Sequence, residues 1–130
     1  MFKKTKHIQD LNQQEISTII GVGFSITGEI KGKAVIRIDG FVTGNVNIEG
    51  GVILGEKGAI KGDVNTESAI IYGTVNGNVK TKMLEIKSTG KVNGDIKTET
   101  IEIELGAQYN GKLEMNSSTK SEEKVVAKAG

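Results

Sequence analysis

A five-residue pattern recurs six times in this chain: an apolar residue, any residue, glycine, a polar residue, an apolar residue. It reads Ile26-Thr27-Gly28-Glu29-Ile30, Val42-Thr43-Gly44-Asn45-Val46 and Ile60-Lys61-Gly62-Asp63-Val64. It continues as Val75-Asn76-Gly77-Asn78-Val79, Val92-Asn93-Gly94-Asp95-Ile96 and Tyr109-Asn110-Gly111-Lys112-Leu113. The glycine spacings are 16, 18, 15, 17 and 17 residues. Two further features keep step. A short apolar run follows each of the first five glycines (Ile36/Ile38, Val52-Ile53-Leu54, Ile70-Ile71-Tyr72, Leu84/Ile86, Ile101/Ile103). A second glycine precedes each repeat glycine, at 23, 40, 58, 73, 90 and 106. Few folds tolerate such phasing. A unit this short cannot bury a core alone, so the repeats must stack.

Inside a repeat the apolar residues alternate, as in Leu84-Glu85-Ile86 and Ile101-Glu102-Ile103, which is a strand period and not a helical one. Three short strands and three glycine-marked corners account for one repeat. The expected fold is therefore all-β, a parallel solenoid of triangular section with about six coils, roughly 29 Å long at about 4.8 Å per coil. Ile60, Val64, Val79, Val92 and Ile96 are expected to point inward, each stacked on its equivalent. A β-sandwich would not require three features in phase over six repeats, nor the absence of proline. The composition agrees, with 18 glycines and only 5 aromatic residues, 3 Phe and 2 Tyr.

Stacking turns equivalent positions into columns. The residue after the repeat glycine gives Glu29, Asn45, Asp63, Asn78, Asp95, Lys112, in which Asn separates the carboxylates and can continue a hydrogen-bond ladder. The outward column of the other strand reads Arg37, Ile53, Ile71, Glu85, Glu102. Ile53 and Ile71 break its polarity. Either they form a lateral contact patch or a local register shift turns them inward.

Function is bounded by what is missing. There is no Cys, a single His and a net charge of +1, which excludes thiolate chemistry, a His-based metal cluster and a net basic field for nucleic acid. No cofactor site is indicated. No Gly-x-x-x-x-Gly-Lys-Ser/Thr segment occurs, and Ser88-Thr89-Gly90-Lys91 sits at a repeat corner. A left-handed β-helix enzyme of the hexapeptide acyltransferase type is the alternative, but the spacings miss a strict hexapeptide beat and His7 lies outside the repeat. No apolar run is long enough to span a membrane or serve as a signal peptide, so a cytoplasmic location is expected.

The stretch Ile19-Ile20-Gly21-Val22-Gly23-Phe24-Ser25-Ile26-Thr27-Gly28-Glu29-Ile30, followed by Ile36-Arg37-Ile38-Asp39-Gly40-Phe41-Val42-Thr43-Gly44-Asn45-Val46, resembles the bactofilins, a family of bacterial cytoskeletal proteins. The opening Met1-Phe2-Lys3-Lys4 is similar to their short amino-terminal targeting peptide. The resemblance implies a right-handed β-helix with disordered tails. It implies nucleotide-independent assembly into non-polar filaments on the inner face of the cytoplasmic membrane. It further implies a scaffold role in cell shape, in appendage placement, or in positioning envelope or wall-modifying proteins.

On this reading residues 1–16 form an amino-terminal tail, 17–115 the polymerisation domain and 116–130 a polar tail without periodicity. Met1, Phe2, Lys3, Lys4 and Lys6 are the candidate membrane anchor. One Phe in lipid contributes about 2–3 kcal/mol and each Lys about 1 kcal/mol on an anionic leaflet, so a single copy binds weakly and a filament binds by avidity. The solenoid ends are the candidate polymerisation interface: Ile19, Ile20, Val22, Phe24 and Ile26 on the first coil, Tyr109, Leu113 and Met115 on the last. Neither end carries a proline or an apolar capping helix, and open strand edges pair with other chains.

Overall fold

The computed structural model describes residues 16–115. Eighteen short strands form three six-stranded sheets, and every pairing is parallel. Sheet A stacks β1 (Thr18–Ile20), β4 (Val35–Ile38), β7 (Gly51–Leu54), β10 (Ser68–Ile71), β13 (Met83–Ile86) and β16 (Thr100–Ile103). Sheet B stacks β2 (Ser25–Thr27), β5 (Phe41–Thr43), β8 (Ala59–Lys61), β11 (Thr74–Asn76), β14 (Lys91–Asn93) and β17 (Gln108–Asn110). Sheet C stacks β3 (Ile30–Gly32), β6 (Val46–Ile48), β9 (Val64–Thr66), β12 (Val79–Lys80), β15 (Ile96–Thr98) and β18 (Leu113–Met115). Each consecutive trio is one coil of a three-sided parallel β-solenoid with six coils.

The interior is a set of apolar columns. Val42, Ile60, Val75 and Val92 stack in sheet B, and Val46, Val64, Val79 and Ile96 in sheet C; all are buried. The five residues expected to point inward do so. β-branched side chains suit this pleated, close-packed setting, and each full burial contributes about 1.5–3 kcal/mol.

The glycine column sets the tight corner between sheets B and C. Gly44 (φ +140°) and Gly94 (φ +152°) adopt a backbone that side chains rarely accept. A Cβ at Gly94 would also collide with the Gly77 carbonyl of the coil below. Gly28 has no coil below it, and nothing lies near its would-be Cβ.

Two other corners explain the uneven spacings. From sheet A to sheet B the inward-facing ends are six residues apart where the corner is long (Leu54 to Ile60) and four where it is short (Ile71 to Val75). From sheet C to sheet A they are four apart (Ile48 to Val52) or three (Thr66 to Ala69). Combining these gives 15, 16, 17 and 18 residues per coil, while the strands stay in register.

The Asn and Asp residues after the glycines build a ladder of a different kind from the one expected. Their side-chain oxygens accept from the backbone N–H of the next coil. Asp63 N–H donates to Asn45 Oδ1 (3.0 Å), Asn78 N–H to Asp63 Oδ1 (2.9 Å), Asp95 N–H to Asn78 Oδ1 (3.0 Å) and Lys112 N–H to Asp95 Oδ1 (3.1 Å). Only an acceptor is needed, so Asn and Asp interchange. The amide-to-amide ladder lies one residue earlier, where Asn93 Nδ2 donates to Asn76 Oδ1 (2.9 Å) and Asn110 Nδ2 to Asn93 Oδ1 (3.0 Å).

One column needs correcting. The outward column of sheet A is Ile19, Arg37, Ile53, Ile70, Glu85, Glu102, so Ile70 and not Ile71 follows Ile53. Ile71 faces inward between Leu54 and Ile86 and is buried. The short corner ahead of β10 removes one residue, and one residue of slip exchanges the two faces of a strand. Ile53 does point outward, but it is fully buried in a small satellite cluster with Val35 and Ile70, against which Ile16 and Tyr72 pack. Neither residue offers a free lateral surface.

Candidate polymerisation interface

The two ends of the solenoid differ from its middle in both backbone and side chains. β1, β2 and β3 are paired on one side only, as are β16, β17 and β18. Among the described residues, each end therefore presents three strand edges whose outer N–H and C=O groups have no strand partner. The inward columns also stop there. Ile26 and Ile30 at one end, and Tyr109, Leu113 and Met115 at the other, are only half-buried against the core.

The exposed large apolar residues gather at the same places. They are Ile19 (60% exposed), Val22 (64%) and Phe24 (67%) on the first coil, Phe41 (57%) on the second and Leu105 (77%) on the last. Among the described residues, the four coils from β4 to β15 carry no exposed large apolar side chain except Phe41, which borders the first coil. Its backbone N–H donates to the Phe24 carbonyl (2.9 Å), so the two aromatic residues are neighbours.

Phe24 is instructive. In the next four coils its column holds Gly40, Gly58, Gly73 and Gly90, where a Cβ would strike the backbone of the coil below, and in the last coil it holds the small Ala107. No coil lies below Phe24, so a ring fits there. Of the other residues expected at the interface, Ile20 belongs to the core. Phe41 and Leu105 were not singled out from the sequence. The signal for Leu105 is its equivalence to Val22: both sit two residues past the last inward residue of sheet A, Ile20 and Ile103.

Polar groups at the last coil are also incomplete. The Tyr109 hydroxyl is buried without a partner among the described residues. Burial, with Asp95 nearby, pushes its phenol above the ordinary value. Lys112 ends the oxygen ladder, since an ammonium cannot accept a backbone N–H. On the first coil Glu29 instead receives Asn47 Nδ2 at 2.6 Å.

Other chemistry is thin. Among the described residues no three His, Cys, Asp or Glu side chains cluster as a metal site. No described helix is long and apolar enough to cross a membrane. Met1, Phe2, Lys3, Lys4, Lys6 and His7, and the tail from Asn116, lie outside the described residues.

Among the described residues, a closed-walled solenoid whose end strands pair on one side only, with its exposed large apolar groups gathered at or beside those ends, has the form of a polymer-forming protein. The family model for bactofilins, described as polymer-forming cytoskeletal, matches residues 18–114, and the chain belongs to that family. Solved structures agree. The chain is similar to the bactofilin of Thermus thermophilus seen in double helical filaments (28% identity, 77% of this chain and 100% of that one, TM-score 0.72). It is similar to a crystallised point mutant of that bactofilin (28% identity, 67% of this chain and 98% of that one, TM-score 0.65). The cytoskeletal bactofilin BacA, solved by solid-state NMR, matches at 29% identity over 76% of this chain and 95% of that one (TM-score 0.70). No curated protein matches. Bactofilins are structural, filament-forming proteins and not enzymes, so the acyltransferase alternative is set aside.

Proposed function

We propose that this protein assembles end to end into filaments without a nucleotide, lies on the inner face of the cytoplasmic membrane, and there organises cell shape or the envelope and appendage machinery. The observation that carries the assembly reading is that, among the described residues, the exposed large apolar side chains and the strand edges paired on one side only gather at or beside the solenoid ends. A joint between two ends pairs the edge strands and continues the core. In a non-polar filament like ends meet about a two-fold axis, and residues near the axis face their own copies.

Charge along the columns favours a second, polar reading. Stacking a first coil on a last coil would place Glu29 over Lys112, Lys31 over Glu114 and Val22 over Leu105, each a favourable contact. Charge substitutions separate the two. Phe24→Lys blocks every joint of a polar filament and leaves monomers. In a non-polar filament it blocks one class of joint and leaves dimers held by the other end. Light scattering and electron microscopy at equal concentration count the species.

The membrane reading is supported by Phe2 beside Lys3, Lys4 and Lys6. Deleting Met1–Lys6 should abolish sedimentation with anionic vesicles and leave filaments intact, and Phe2→Ser should do much of this, because the lysines supply only a salt-screened attraction. Equal sedimentation of intact and truncated protein would remove the anchor. The scaffold role would be tested by deleting the gene and scoring cell shape and appendage position; an unchanged cell would contradict it.

A further inference from the structure

The alternation of buried and open residues fails on one part of the wall. β13 and β16 behave as strands with one face in water: Leu84, Ile86, Ile101 and Ile103 are buried and the residues between them are more open. β7 does not. Gly51, Val52, Ile53 and Leu54 are all buried, although Gly51 and Ile53 point outward. The outward residues beside them, Val35 on β4 and Ile70 on β10, are buried as well. A glycine on an outer face has no side chain to fold over itself, so its burial requires other atoms lying across the wall.

The start of that cover is visible. Ile16, the first described residue, packs on the cluster of Val35, Ile53 and Ile70, as does Tyr72 just past the end of β10. Ser17 N–H donates to the Val35 carbonyl (2.9 Å), which fixes the chain beside β4 as it enters β1. Residues 7–15 lie outside the described residues, and among them Ile8 and Leu11 are the apolar ones. Leu11 is five residues before Ile16, a span of about 17 Å when extended. The distance from β4 to β10 is two strand spacings, about 10 Å. Leu11 is therefore within reach of Ile70 and Tyr72. A segment of the same chain also reaches the patch at roughly millimolar effective concentration, which favours it over a separate protein.

We propose that the outer face of sheet A is the docking site of the chain's own amino-terminal segment, residues 11–15. Its backbone crosses Gly51, where the missing side chain leaves room, and Leu11 covers Ile70 and Tyr72. Docking completes a second, small apolar core outside the solenoid and fixes the wall from which residues 1–10 leave. It deepens the membrane reading by naming the side of the solenoid that carries Met1–Lys6. That consequence rests on the membrane reading, whereas the docking itself stands whether or not the anchor binds lipid.

The test uses introduced cysteine pairs in the full chain, which has no cysteine of its own. Asn12→Cys is combined with Ser68→Cys, on the outer face of sheet A, or with Asn65→Cys, on the outer face of sheet C across the adjoining corner. A tail leaving Ile16 can reach both. Under mild oxidation the Ser68→Cys pair should close within one chain at least about tenfold faster than the Asn65→Cys pair. Leu11→Ser should lower the melting temperature by at least about 4 °C, and Asn12→Ser should leave it unchanged. Deleting Met1–Lys6 should alter neither result, which keeps this test distinct from the membrane reading. Equal closure of the two pairs would mean that the segment roams, and closure between chains would give the patch to a second copy. Either outcome, or a Leu11→Ser protein that melts like its parent, overturns the proposal.

Discussion

Val79 and Leu113 occupy one column of sheet C, two coils apart, with Ile96 between them. Val79 is buried beneath one coil and above another, whereas Leu113 has a neighbour on one side only and is half-buried. The repeat makes the two sites locally alike in strand, corner glycine and inward face. What differs is the missing next coil. In the middle the column, the edge bonds and the oxygen ladder are all continued by the protein's own chain. Among the described residues each of these stops at the ends, and most of the exposed large apolar residues gather there. The ends are the middle of a longer object, interrupted.

The largest test of this contrast is charge placed at the two sites. Val79→Lys buries an unpaired ammonium and should unfold the domain, a loss of several kcal/mol, on the order of the whole stability. Leu113→Lys can raise its head toward the open end and should leave a folded, soluble solenoid. Thermal melts by circular dichroism read both, and a Val79→Lys protein that melts like its parent would void the register described here.

Alanine at the corner glycines is next. Gly94→Ala meets the Gly77 carbonyl as well as an unfavourable φ and should cost about 3 kcal/mol or more. Gly28→Ala carries only the backbone strain, since its space is open, and should cost about 1 kcal/mol. Equal losses in urea unfolding would mean that coil-to-coil crowding does not set the corner.

The oxygen ladder predicts a smaller asymmetry. Asn78→Leu removes the acceptor for the Asp95 N–H and should cost about 1 kcal/mol. Lys112→Asn removes no acceptor, because Lys112 supplies none, and should change monomer stability by less than about 0.5 kcal/mol.

Alkali gives the smallest effect. The Glu85 carboxylate, with Glu104, holds the Lys87 ammonium above its ordinary value, and burial raises the Tyr109 phenol. Both groups keep their protons longer folded than unfolded. Their contribution to stability is therefore fully present below pH about 10 and is lost as pH rises through the raised values. Tyr109→Phe should flatten part of that fall in a pH series of melts, by under about 1 kcal/mol for a half-buried group.

The fold was legible because the glycine column and the period-two alternation are both written into the chain at every coil. The five inward residues Ile60, Val64, Val79, Val92 and Ile96 followed from that alone. Register was legible only where polar residues mark the outer face. Leu84-Glu85-Ile86 fixes its own parity; Ile70-Ile71-Tyr72 does not, and the one-residue shortening of the corner before Ala69 leaves no mark in the apolar run. The ends were legible as apolar, through Val22 and Phe24. Leu105 was not, because a lone Leu in a turn becomes informative only once its position is known to match Val22.

The central claim, that the ends assemble because they are interrupted interior, is tested most directly by Phe24→Lys combined with Leu105→Lys. Both side chains are exposed, so neither change disturbs the core. The double variant, with the circular dichroism and melting temperature of its parent, should give monomers by light scattering and no filaments by electron microscopy. Long filaments from that folded double variant would place the joints elsewhere and contradict the account.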